Sequence, residues 1–179
     1  MPLLKDGQAI DDPWAALPET APRQDGTTEP ALDVDLIVTL DQWREKREAL
    51  LQRNGRLGLR LRSDQSPAEI AADLAHFDLI ALEFPKFTDG RAYSYARLLR
   101  ERHGFSGELR AVGNVLRDQL FFMLRCGFDS FEVARHESVA AWHDAISEVT
   151  VLYQPAGSEP ATGGVLGGPL GRARAVAAE

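Results

Sequence analysis

Seven polar residues stand directly behind two short strand-like runs, and their types suit the binding of an oxyanion. Lys86, Thr88, Asp89 and Arg91 follow the run Leu79–Phe84, and Asn114, Arg117 and Asp118 follow Glu108–Gly113. Lysine and arginine neutralise negative charge. Thr88, Asp89 and Asn114 are of the types that cap a helix start by accepting its free N–H groups. A helix start carries partial positive charge and unpaired donors, so it is a natural seat for an anion. If the two runs are neighbouring parallel strands, both loops leave the same carboxyl edge of the sheet. One crevice there would hold sulfite, sulfate, phosphate or a nucleotide phosphate, with Lys86 and Arg91 neutralising it. Each residue also has a purely structural reading: Thr88, Asp89 and Asn114 as caps, Lys86 and Arg91 as solvated charges, Arg117 and Asp118 as surface pairs of little worth. Both readings stay open at this point.

Charge concentrates in the same region. Between Phe84 and Arg135 there are nine Lys and Arg against six Asp and Glu, in a chain whose formal net charge is −7. Of these, Arg97, Arg100, Arg102 and Arg110 read as a solvated or partner-facing basic surface. The acidic total argues against a general nucleic-acid binder.

Redox chemistry finds little support in the residues. No G-x-G-x-x-G follows an apolar run, so the dinucleotide fingerprint is absent. Tyr93 precedes Arg97 by four, where a short-chain dehydrogenase would place lysine. Cys126 has no partner cysteine, and it falls at the expected C-terminal end of a helix, where the dipole disfavours a thiolate. It reads as a buried structural thiol. His76, His103, His136 and His143 form no recognised ligand pair. No metal site and no cofactor bound by this chain are expected.

The elements that must position these residues follow from pattern. Leu79–Phe84 is too short for a helix and is closed by Pro85, the signature of a strand buried on both faces. Ala92, Tyr95, Ala96 and Leu99 then recur at helical spacing. Gly104-Phe105 ends that helix, with the glycine left-handed and the phenylalanine folding back. The unit repeats: strand Glu108–Gly113, a stripe of Leu116, Leu120, Met123 and Leu124, a stop at Gly127-Phe128, and a strand from Phe131. Upstream, Val34–Leu40 is a strand, and Thr39 or Asp41 starts a helix carrying Trp43 and Leu50. Arg56–Arg62 alternates leucine with arginine and reads as a half-exposed strand near the sheet edge. Ser66-Pro67-Ala68-Glu69 opens a further helix with a capping box. Val139, Trp142, Ile146 and Val149 mark a last helix.

These patterns predict one α/β domain over residues 33–153, a three-layer, flavodoxin-like or Rossmann-like fold with a mainly parallel sheet of about five strands. Part of a barrel is the less favoured architecture, since a full one takes about 250 residues. Residues 1–32 are an N-terminal arm. In it Leu3–Ile10 forms either a hairpin turning on Asp6-Gly7, pinned by Trp14, or an unstructured segment. Residues 154–179, rich in Gly, Pro and Ala, are a flexible tail. The N-terminus shows no secretory signal, no apolar run approaches membrane-spanning length, and the one cysteine fits a reducing cytoplasm.

The strings FPKFTDGRA and ELRAVGNVLRDQ, within the run from Phe84 to Val133, resemble one uncharacterised bacterial family, the domain of unknown function nine-three-four. It carries the label of an oxidoreductase of sulfite reduction. The resemblance covers about Leu32 to Gln154 and extends weakly to Asp12-Pro13-Trp14. The family's members are commonly encoded beside the sulfite reductase haemoprotein. The resemblance therefore implies a role in assimilatory sulfate reduction, with sulfite reductase or its electron donor as partner. It implies no active site. Two functions are carried forward: an accessory protein working by contact with a redox partner, and a small-molecule enzyme using the Lys86–Arg91 and Asn114–Asp118 loops.

Overall fold

The computed structural model describes residues 3–6, 8–17 and 33–133. Eight strands form one mixed sheet: β1 (Leu3–Lys5), β2 (Gln8–Ile10), β3 (Ala15–Ala16), β4 (Leu36–Thr39), β5 (Leu57–Leu61), β6 (Leu79–Phe84), β7 (Glu108–Gly113) and β8 (Ser130–Glu132). Three helices join them: α1 (Leu40–Leu51), α2 (Arg91–Arg97), which continues into a π-helical turn over Leu98–Arg102, and α3 (Leu120–Cys126). The sheet order is β2-β1-β8-β7-β6-β5-β4-β3. Pairing from β3 through β8 is parallel, while β1 lies antiparallel to both β8 and β2.

That order corrects the expected three layers. From β4 to β8 each strand lies beside its predecessor in the chain, with no reversal. Right-handed crossovers that always step the same way deposit every helix on the same face. The packing agrees: Leu59, Leu82, Ala111 and Phe131 of the strands share one core with Trp43, Ala96, Leu99 and Met123 of the helices. The opposite face carries a small separate cluster of Trp14, Leu79, Ala81 and Val112. The described sheet is thus singly wound and mixed, with six parallel strands rather than about five.

The sheet is also curled, and the chain shows why. Ile10 ends β2 at one edge and Ala15 begins β3 at the other. Flat, those edges would lie seven strand spacings apart, about 34 Å at about 4.8 Å each. Five extended residue steps reach at most about 18 Å. Residues 11–14 therefore strap the two edges together across the helix-free face, which becomes the concave one. Asp12 bonds Arg110 of β7 beneath the strap, and Trp14 lies over Gly58 of β5. The hairpin reading of Leu3–Ile10 holds, with Leu3 opposite Ile10, Asp6 at φ 51° and Trp14 buried. So the expected arm contributes three strands, β1, β2 and β3, to the sheet. The expected last helix and the tail lie outside the described residues.

Local sequence explains most of the helices. Thr39 caps α1 in a capping box with Gln42. Gly104 and Gly127 take positive φ, 65° and 102°, and strands follow each. At the second stop Phe128 N–H reaches back to the Met123 carbonyl at 3.2 Å. At the first, Phe105 N–H reaches Leu99 at 2.9 Å, six residues back, because the π turn adds one residue.

Three expectations fail locally. Ser66 and Glu69 do form their capping box, but only two 3-10 turns follow, Pro67–Ile70 and Leu74–His76. Asp73 lies between them, and its carboxylate is drawn to Trp43 Nε1 and Arg47 on α1. Leu116 precedes α3 and is exposed instead of joining the buried stripe. Strand β5 is internal, with β4 and β3 between it and the edge; Arg60 within it and Arg56 and Arg62 on its flanks alternate because one face of it meets the concave side.

Candidate functional site

The two loops expected to cooperate do share one edge. Phe84 lies opposite Gly113 in parallel register, and Asn114 N–H donates to the Phe84 carbonyl at 2.8 Å. Gly113 has φ 91°, and a Cβ there would sit 2.6 Å from that same carbonyl oxygen. Only glycine lets the loops approach so closely.

Within this edge the polar groups are largely spent on one another. Asp89 accepts from Arg91 Nε at 3.0 Å, Nη2 at 2.7 Å and backbone N at 3.3 Å. The Arg91 hydrogen bond, with help from Ser63, holds the Asp89 carboxyl well below the usual carboxylate range. Arg91 Nη2 also donates to Ser63 Oγ at 3.0 Å, tying this loop to the one after β5. Arg91 is therefore a loop staple as well as a charge. Gly90, not Thr88 or Asp89, precedes the first residue of α2, although Asp89 still accepts the Arg91 N–H. Asn114 does not cap α3: Gln119 Oε1 accepts the Leu116 N–H there at 3.3 Å, and the Asn114 N–H is already engaged. Lys86 is exposed with no ion pair among the described residues, and Thr88, Arg117 and Asp118 are exposed.

What stands out at this edge is apolar. Phe87 is 57% exposed, Phe122 50% and Leu116 36%, on the two loops and the first turn of α3. Phe122 packs on Tyr93 at 5.0 Å between ring centroids, and Tyr93 in turn meets buried Phe84 at 5.0 Å. A row of aromatic rings thus runs from the core to the surface.

The basic-surface reading needs correction at two positions. Arg100 is half-buried: its guanidinium donates to the carbonyls of Gly127, Phe105 and Gly107 and to Asp129. It holds both glycine stops together. Arg110 is 3% exposed and bonds Asp12 at 2.7 Å and Glu108 at 3.0 Å. Glu108 also accepts from Lys5 Nζ and Ser130 Oγ, each at 2.6 Å. Burial pushes the Glu108 carboxyl up, but Lys5, Ser130 and Arg110 together pull it below its ordinary value. Sequence reasoning missed this network, although an arginine inside an apolar strand was a signal for it. Arg97 is exposed, paired with Glu101, and Arg102 is exposed, as expected.

Cys126 is buried, and burial pushes its thiol up to about 11. It is protonated at neutral pH, as a structural thiol would be. Among the described residues no group of three or more His, Cys, Asp or Glu is placed to hold a metal ion, and no helix is long and apolar enough to cross a membrane. His136 and His143 lie outside the described residues.

No curated protein and no solved structure matches the chain. One family model does match, over residues 58–163, which includes both carboxyl-edge loops, the exposed phenylalanines and the Arg100 and Arg110 anchors. With more than half its length matched, the chain belongs to the family described as "Bacterial protein of unknown function (DUF934)".

Proposed function

We propose that this protein is an accessory component of assimilatory sulfite reduction, acting by contact with sulfite reductase or its electron donor. The observation that carries the contact reading is the exposure of Phe87, Leu116 and Phe122 together at the carboxyl edge. Large apolar side chains clustered outside the core mark interaction surfaces. Aromatic residues are enriched in the buried centres of such surfaces. Around them Arg91 and Asp89 neutralise each other, so the edge is better suited to meeting a protein than to gripping a free anion. The choice of sulfite reduction rests on the family resemblance of FPKFTDGRA and ELRAVGNVLRDQ. In this reading the chain works in the cytoplasm and needs no cofactor of its own. The test is binding to purified sulfite reductase haemoprotein and to its electron donor. Phe87→Ser with Phe122→Ser should weaken the interaction at least about tenfold in a protein that still melts cooperatively, and Phe87→Ser alone, at the more exposed ring, separates lost contact from the loss of Phe122 packing on Tyr93.

A second reading keeps the small-molecule crevice formed by Lys86, Thr88, Asp89, Arg91, Asn114, Arg117 and Asp118. Its support is the adjacency of the two loops through Phe84 and Gly113. It predicts that sulfite, sulfate or phosphate stabilises the protein alone, and that Arg91→Ala weakens this more than Arg97→Ala. Arg97 is the control because it is exposed and paired with Glu101, away from the two loops, whereas Arg100 is an internal anchor.

A further inference from the structure

Leu4 is only 2% exposed, yet no described helix follows β8 to lie over it. It stands opposite Phe131 in register, so both side chains point to the helix face of the sheet, and both belong to the main core. Val133, two residues on from Phe131, shares that face and is buried as well. The last described helix, α3, comes before β8 and crosses from β7 to it, so it serves that pair of strands. Strand β1 lies one strand spacing further, about 4.8 Å. Ala9 of β2, opposite Leu4 and on the same face, is exposed. The cover over Leu4 therefore ends between β1 and β2. A helix about 10 Å across, seated over the groove between β8 and β1, has that reach.

The chain supplies one segment with the length and pattern for this groove. It leaves β8 at the carboxyl edge, where each earlier helix of the singly wound sheet also sets out for this face. Val139, Trp142, Ile146 and Val149 recur at helical spacing, with Glu137, Asp144 and Glu148 on the opposite side of that helix. Val139 is six steps from Val133, a span of up to about 20 Å. The family match runs on past β8 to residue 163, so the unit shared by the family includes this segment. Residues 18–32 fit the groove poorly. Their two ends are tied to the other edge of the sheet, through Leu17 N–H on the Ile37 carbonyl and Asp33 on Asn54, and Leu32 is their one large apolar side chain. After residue 154, Gly163-Gly164 and Gly167-Gly168-Pro169 break any helical stripe.

We propose that residues 139–149 of this chain dock as a helix over the groove between β8 and β1, with Trp142 and Ile146 against Leu4, Phe131 and Val133. The amino-terminal hairpin is then held by the carboxyl-terminal part of the same domain. Phe131 and Val133 serve as the shared floor between α3 and this segment. The contact lies on the helix face and does not depend on the partner of the carboxyl edge.

The test uses isotope-labelled full-length protein with labelled leucine and isoleucine methyls. Nuclear Overhauser contacts are expected from the Leu4 methyls to the Trp142 indole and the Ile146 methyls, and a sample mixed from labelled and unlabelled chains shows whether they arise within one chain. Amide hydrogen exchange over residues 139–149 should be at least about tenfold slower than in an unstructured chain. Trp142→Ala should speed exchange in β1 and β8 at least about tenfold while β5 and β6 keep their protection. The contacts in unaltered protein decide the matter even if that variant fails to fold. The proposal is overturned if Leu4 meets residues 18–32, the segment after residue 154 or a second copy of the chain instead. It is equally overturned if residues 139–149 exchange like an unstructured chain, or if folded Trp142→Ala leaves β1 and β8 as protected as before.

Discussion

Replacing Arg110 by methionine should destabilise the protein by about 3 kcal/mol, near the low end of the cost of breaking a buried charge network. Methionine fills similar space without charge, so the loss is mainly electrostatic. Arg110 is 3% exposed and serves two carboxylates, Glu108 and Asp12. Glu108 keeps Lys5 and Ser130 after the substitution, and Asp12 is 30% exposed and regains water. Those two facts place the expected value at the lower end. Lys5→Met removes a more exposed partner, 36%, and should cost about 1 kcal/mol or less. Urea unfolding monitored by tryptophan fluorescence reads both. A difference of about 3 kcal/mol corresponds to a fall of roughly 6–12 °C in melting temperature for a chain of this size. A double-mutant cycle with Asp12→Asn should show positive coupling, since the strap is held through that pair. If Arg110→Met changes stability by under about 0.5 kcal/mol, the magnitude of a surface substitution, the buried network and the strapped sheet are both refuted.

Other consequences are accessible to simple assays. Glu108, Asp73 and Asp89 are held below their ordinary carboxyl values, so the stability they contribute is complete above the unfolded values of about 4 and is lost as pH falls below them. Asp129, which burial pushes up, works against this trend, and acid titration of the Asp89→Asn and Asp73→Asn variants should show which carboxylates dominate. Gly127→Ala should cost about 1–3 kcal/mol, because φ is 102° and a Cβ would lie 2.7 Å from Arg100 Cγ; Gly104→Ala, with no atom within 4 Å, should cost about 1 kcal/mol or less in thermal melts. Cys126 should resist alkylation in the native protein and react quickly in denaturant, which mass spectrometry would follow.

The βα register was legible because its signals are local. Pro85 closes β6, the Gly-Phe pairs stop two helices, and Thr39 caps a third, each through a few neighbouring residues. Strand order is not local. A doubly wound and a singly wound sheet use the same strands and helices, and differ only in which side each crossover passes. The decisive clue, the five-step path from Ile10 to Ala15, acquires meaning only when both ends are known to pair with opposite edges. The carboxyl-edge loops were found for a sound reason, since Phe84 and Gly113 end neighbouring strands. Their internal neutralisation comes from Asp89, two residues from Arg91, which the sequence reading took as a helix cap, and the Ser63 contact that fixes Arg91 in place lies 28 positions upstream. Arg100 and Arg110 were misread for a related reason: their partners Asp129 and Asp12 are distant in sequence.

The central claim is that the carboxyl edge, with Phe87, Leu116 and Phe122 exposed, meets a partner of sulfite reduction. It is tested most directly by calorimetric titration of the full chain into purified sulfite reductase haemoprotein and, separately, into its electron donor. The account predicts saturable binding to one of them, weakened at least about tenfold by Phe87→Ser with Phe122→Ser in a double variant that still melts cooperatively. Absence of binding to both, or equal binding by the folded double variant, would contradict it.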